Sequence, residues 1–146
     1  MTVPYHGHLG RRLAAPFHVQ VELTRDLADQ PKGLVEGRAV RVFKGGDRLS
    51  VGDSVSFDVE ILPPSQDPLA VPPGDFFYLW DDGHLSEVKY LEAYLEGPPP
   101  QCRIALSECV VIEHPTKRPI LKASHLRYAL DLLRWKLRLP RFPKSR

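Results

Sequence analysis

Apolar and polar residues alternate along most of the chain and give way to helical spacing near its end. Phe17, Val19, Val21 and Leu23 alternate with His18, Gln20, Glu22 and Thr24, the period of a strand with one buried face. A second strand is predicted over residues 35–43. After two turn signals, Gly45-Gly46 and Gly52-Asp53, the residues Val55, Phe57, Val59 and Ile61 alternate with Ser54, Ser56, Asp58 and Glu60, which predicts a hairpin. The apolar run 76–80 has the length of a buried strand and is closed by Asp81-Asp82-Gly83-His84. In residues 85–95 Leu85, Val88, Leu91 and Leu95 allow a helix. The segment 90–95, set between a turn and Pro98-Pro99-Pro100, fits a strand better. A last strand over 102–112 places Ile104, Leu106, Val110 and Ile112 on one face. One shared core is expected to gather Phe17, Val19, Val21, Val55, Phe57, Val59, Ile61, Ile104 and Leu106.

Residues 124–139 change period. Leu126, Leu130, Leu133 and Leu137 fall on one side of a 3.6-residue wheel, while Tyr128, Leu132, Trp135 and Leu139 fall roughly opposite. Ser124 is a plausible N-cap, and Pro140 blocks continuation. One apolar stripe suffices to dock a helix on its own domain, so a second stripe calls for a second partner. The expectation is that the Leu126 stripe covers the body, while Tyr128, Leu132, Trp135 and Leu139 meet a second copy across a two-fold axis.

The resulting organisation is an N-terminal arm over 1–16, marked by Gly7, Gly10 and two prolines, a β domain over 17–123, a helix over 124–139 packed on that domain, and a basic tail over 140–146. Six short strands followed by one helix predict a mainly β protein, a small antiparallel OB-like β-barrel or a sandwich with one C-terminal α-helix. The hairpin residues 40–45 and 49–55, with Lys89-Tyr90-Leu91 as a later core strand, resemble bacterial netrin-like or inhibitor-like OB-barrel domains. The resemblance covers about 60 residues and implies the barrel. Those families usually carry a cysteine framework that this chain lacks, so inhibition and extracellular residence are not implied.

The 15 prolines, about twice the usual share, fit short strands joined by stiff loops. The net charge of +2 is unevenly spread. Over residues 53–113 Lys89 and Arg103 oppose a dozen carboxylates, whereas residues 124–146 hold seven Lys or Arg against Asp131. Cys102 and Cys109, seven residues apart on one predicted strand, would lie about 23 Å from each other, beyond disulfide reach. Free thiols, no apolar leader and no long apolar run point to a cytoplasmic location.

Candidate chemistry is sparse. His6 and His8, joined by His18 or His84, lack the spacing that holds metal ligands on one helix face, so no metal or other cofactor is expected. Asp81-Asp82-Gly83-His84 sets carboxylates beside an imidazole, with Asp75, Glu87, Glu92 and Glu96 extending an acidic surface. Asp and Gly also close hairpins for conformational reasons alone. Cys102 and Cys109 lie in apolar surroundings and read as structural thiols. Phe76, Phe77, Tyr78, Trp80, Tyr90 and Tyr94 pack a core or line a ligand groove. No nucleophile elbow, phosphate loop or dinucleotide fingerprint is present.

Three function classes follow. The first is a non-catalytic binding or assembly domain that forms a homodimer through its C-terminal helix. The second is a peripheral binder of membrane or nucleic acid that uses Arg134, Lys136, Arg138, Arg141, Lys144 and Arg146. The third is a small enzyme whose site residues are scattered along the chain.

Overall fold

In a computed structural model of the chain, the described residues are 5–29, 33–63, 77–81 and 83–137. Seven strands and two α-helices lie among them, and the protein is mainly β. The five-stranded sheet has the order β3-β2-β1-β6-β7 and is antiparallel throughout. Its strands are β1 (Phe17–Leu23), β2 (Leu34–Lys44), β3 (Ser54–Asp58), β6 (Tyr90–Glu96) and β7 (Arg103–Ile112). Two short strands, β4 (Glu60–Leu62) and β5 (Tyr78–Trp80), pair in parallel beside it.

The sheet is strongly curled. Two register shifts in the β1–β2 pairing leave Phe43 and Val40 as extra residues on β2, and each such bulge bends the strand and increases its twist. Gly37 lets the two strands approach, since a Cβ there would stand 2.5 Å from the Glu22 carbonyl oxygen. The curl brings the segment before β7 back onto β3. The Ser56 N–H donates to the Pro100 carbonyl at 2.8 Å, and the Cys102 N–H donates to the Ser56 carbonyl at 2.9 Å. This single parallel bridge approaches closure of the sheet without completing it.

The concave face holds the apolar core of Phe17, Val19, Val21, Val35, Val55, Phe57, Val59, Leu91, Leu95 and Cys109 with their buried neighbours. Of the residues expected there, Ile61 and Ile104 are partly buried against it, and the Leu106 side chain lies outside the described residues. The second hairpin strand is shorter than its pattern: it breaks at buried Val59, and residues 60–62 leave for the small sheet. β7 also departs from the expected single face. Ala93 pairs with Cys109, whereas Leu95 pairs with Ile104, so β7 carries extra residues in between. The bulge turns Ile104 and Cys109 to the core, while Ala105 packs on the convex side. Ile112, opposite Tyr90, shares that convex face, so the residues Ile104, Leu106, Val110 and Ile112 do not form one row.

The convex face of β1, β6 and β7 is covered by a second layer. The N-terminal segment, expected as an arm, forms helix α1 (Tyr5–Ala14), with Leu9 and the following Ala15 buried. Gly7 and Gly10 lower its intrinsic propensity by about 1 kcal/mol each relative to alanine. Packing against the sheet and against helix α2 (His125–Leu137) offsets that cost, as is usual for short helices. Lys44 Nζ donates to the Leu13 carbonyl at 2.6 Å and places a cation at the C-terminal end of α1. Between β7 and α2 the chain crosses the sheet as a strap, residues 113–124.

Candidate functional site

The strap is held by side chains on the face of β1 and β6 turned away from the apolar core. Along β1, His18 and Gln20 point away from the core, and Glu92 and Tyr94 do the same on the neighbouring β6. Gln20 and Glu92 are both 0 % exposed. An ionised carboxylate buried this completely requires compensation from nearby donors. Glu92 Oε1 accepts from Gln20 Nε2 at 2.7 Å and from the Ile120 N–H at 2.9 Å. Its Oε2 accepts from the Leu121 N–H and lies 3.2 Å from His18 Nε2. Burial pushes this carboxyl up, but the hydrogen bonds from His18, Ile120, Gln20 and Leu121 together outweigh burial and hold it below its ordinary value.

Gln20 fastens the strap at a second point. Its Nε2 donates to Thr116 Oγ1 at 2.7 Å, and its Oε1 accepts from the Thr116 N–H at 2.8 Å. The Thr116 hydroxyl in turn donates to the Arg118 carbonyl at 2.6 Å. Tyr94 adds a third point, donating from its hydroxyl to the Leu121 carbonyl at 2.8 Å. Burial raises the Tyr94 hydroxyl to about 12, with Glu92 and Glu108 adding to the rise and Arg12 opposing it, so it remains a donor across the physiological range. The His18 ring stacks on Tyr94 with centroids 3.8 Å apart and touches Phe43 from the other side. Arg12 of α1 completes the layer, pairing with the buried carboxylate of Glu108 on β7 and donating to the Lys122 carbonyl at 2.7 Å.

Chemically, this cluster is a clasp. Each Glu92 oxygen meets two groups of the same chain, and general acid–base work would need one of those places for a substrate. Three of the residues that build it carry other readings in the sequence: His18 as a metal ligand, Glu92 as part of an acidic surface, and Tyr94 as core packing or the wall of a groove; Tyr94 is indeed buried. Gln20 carried no signal, because an amide in the polar phase of a strand looks like any solvent-facing residue.

The other candidates are dispersed. Gly83, with φ of +87°, makes the turn after β5, and His84 pairs with Glu87 at 3.2 Å on the exposed surface. Asp75, Phe76 and Asp82 lie outside the described residues, as do the side chains of His6 and His8. Cys102 and Cys109 are free thiols, and burial raises both. Phe77, Tyr78 and Tyr90 are half-buried and Trp80 is exposed. Tyr94 belongs to the clasp, so the aromatic residues do not line one groove.

Helix α2 begins as expected: Ser124 Oγ accepts from the Arg127 N–H at 3.4 Å. Its orientation is the reverse of the expectation. The stripe thought to cover the body is exposed, with Leu126 at 71 %, Leu130 at 49 %, Leu133 at 53 % and Leu137 at 58 %. Tyr128 and Leu132, expected to face a second copy, are half-buried. The Tyr128 ring lies over Gly10 of α1, close enough that a Cβ at Gly10 would stand 3.2 Å from it. A glycine on α1 opens a seat for a flat ring, which a leucine row does not match. Arg134 is half-buried and Lys136 exposed. Leu139, Arg138, Arg141, Lys144 and Arg146 lie outside the described residues, as does the side chain of Trp135. No protein family, no curated protein and no solved structure matches the chain.

Proposed function

We propose that this chain is a non-catalytic binding domain, an OB-like barrel that carries α2 as its docking element and meets an anionic surface. The observation that carries the reading is the exposed row Leu126, Leu130, Leu133 and Leu137, set on a helix whose charged residues include Arg127, Arg134 and Lys136 against Asp131. The strand order β3-β2-β1-β6-β7, with its parallel bridge from Ser56 to Gln101, supports the barrel assignment. The saturation of Glu92 by its own strap supports a structural role for the buried ionisable cluster.

Self-association is the second reading, and its basis is the heptad-like spacing of the leucines. On the helical wheel Arg127 and Arg134 border the leucine row on one side and Lys136 borders it on the other. Two copies joined along that row would bring these cations together, which disfavours the pair. Sedimentation of the full chain, combined with its retention on dextran sulfate as salt rises, tests the reading. The expected result is a monomer at tens of micromolar that is retained at low salt and released as salt approaches the physiological range. A salt-insensitive dimer, or no retention at low salt, overturns it.

A further inference from the structure

We propose that the surface met by α2 is a lipid bilayer bearing anionic headgroups, with Leu126, Leu130, Leu133 and Leu137 entering its interfacial region and the flanking cations at headgroup level. This deepens the anionic-surface reading and rests on it.

The four leucines form one straight row along a helix of 13 residues, about 20 Å long at 1.5 Å per residue. The row is convex and narrow. A stable protein partner requires roughly 800 Å² from each side, more than one row of four leucines offers. A bilayer sets no such minimum, because each inserted methylene adds its own increment. Nucleic acid matches the cations and not the leucines, since its interfaces are polar and a phosphate backbone leaves a row of exposed leucine in water. A second copy matches the leucines and brings like charges together.

Charge and continuity point the same way. In the sequence, the nine residues after the helix, 138–146, contain Arg138, Arg141, Lys144 and Arg146 and no acidic residue. Long cationic side chains beside an apolar row lay their stems along it and keep their heads at the headgroups. Among the described residues no helix is long and apolar enough to cross a membrane, so the contact belongs to the interface plane.

The fold also sets the orientation beforehand. The Tyr128 ring on Gly10 fixes the inner side of α2, and the Ser124 cap follows a strap fastened at Thr116, Ile120 and Leu121. The leucine row is therefore presented outward on a formed helix, and binding need not supply the ordering cost that a free amphipathic peptide incurs.

Co-sedimentation of the full chain with vesicles tests this. One set contains phosphatidylcholine alone, and the other replaces about a quarter of it with phosphatidylglycerol; wild type is compared with the Leu130→Ser/Leu133→Ser variant. Both substitutions are on the surface, and the melting midpoint of each protein verifies that it is folded. Wild type should pellet with the anionic vesicles and not the zwitterionic ones, and the variant should bind the anionic vesicles at least about tenfold more weakly. Retention of the variant on dextran sulfate should be unchanged. Equal vesicle affinity for the two proteins overturns the insertion of the leucines and leaves the anionic-surface reading standing. Retention on dextran sulfate without vesicle binding overturns the lipid assignment in favour of nucleic acid. A wild-type dimer that the double substitution dissociates overturns it in favour of a second copy. Loss of both vesicle binding and polyanion retention removes the anionic-surface reading itself.

Discussion

Over residues 17–21 both faces of β1 are buried, and they are built by opposite means. On the concave side Phe17, Val19 and Val21 fill an apolar core, whereas on the convex side His18 and Gln20 are closed off by a strap of backbone. The first face is held by apolar area and packing, which are indifferent to direction. The second is held by aimed hydrogen bonds, each with one acceptable geometry and a large penalty when a partner is lost. The apolar face gives the domain its bulk stability. The polar face fixes where the strap runs, and with it the position of α2.

Substitutions on the two faces should therefore fail differently. The largest expected effect is that of Phe57→Ala in the apolar core, about 3–5 kcal/mol from lost transfer energy and the cavity left behind. Chemical denaturation should show it as a lower midpoint with cooperativity intact; a neutral result would contradict the assignment of the faces. Glu92→Leu keeps approximate volume but leaves the Ile120 and Leu121 N–H groups, one N–H of the Gln20 amide and His18 without their acceptor. The expected cost is about 3 kcal/mol. Hydrogen exchange should locate that loss in residues 116–121 before the sheet amides respond. Uniform exchange through sheet and strap would mean that the clasp and the core are one unit.

Acid sharpens the same comparison. The folded pKa of Glu92 lies below its ordinary value of 4.5, so the unfolded chain takes up the proton more readily. The stabilisation from this group is then fully present above that ordinary value and is lost as pH falls through the lower folded one. Unfolding free energy followed against pH should show this loss in wild type, and Glu92→Leu should lack its share of the slope. Identical pH profiles for the two proteins would contradict the assignment. The smallest expected effect is that of Tyr94→Phe, about 1 kcal/mol, because it removes only the hydroxyl bond to the Leu121 carbonyl. A loss as large as that of Glu92→Leu would show that the His18–Tyr94 stack, and not the hydroxyl, organises the clasp.

Much of the strand framework was legible because its signals are local. Each residue of the Phe17–Val19–Val21 series sits two positions from the next, and Ser124 caps the helix that begins beside it. The bulge in β7 was not legible, since Ala105 and Cys109 reach opposite faces only through their pairing with β6. Helix α1 was missed because Gly7 and Gly10 argue against a helix locally, while the reason for Gly10 is the Tyr128 ring, far away in sequence.

The sequence by itself determined which residues of the first strand share a face, where the turns fall, that Phe17, Val19, Val21, Val55 and Phe57 make one core, and that the last helix has two apolar sides. Only the tertiary structure decided what covers each face. Gln20 meets Thr116, and Arg12 meets Glu108, across 96 positions in both cases. Tyr128, not the leucine row, turns inward. The physical reason is that periodicity fixes the direction of a side chain relative to its neighbours along the chain, whereas its burial depends on which distant segment can satisfy its hydrogen bonds or fit its shape.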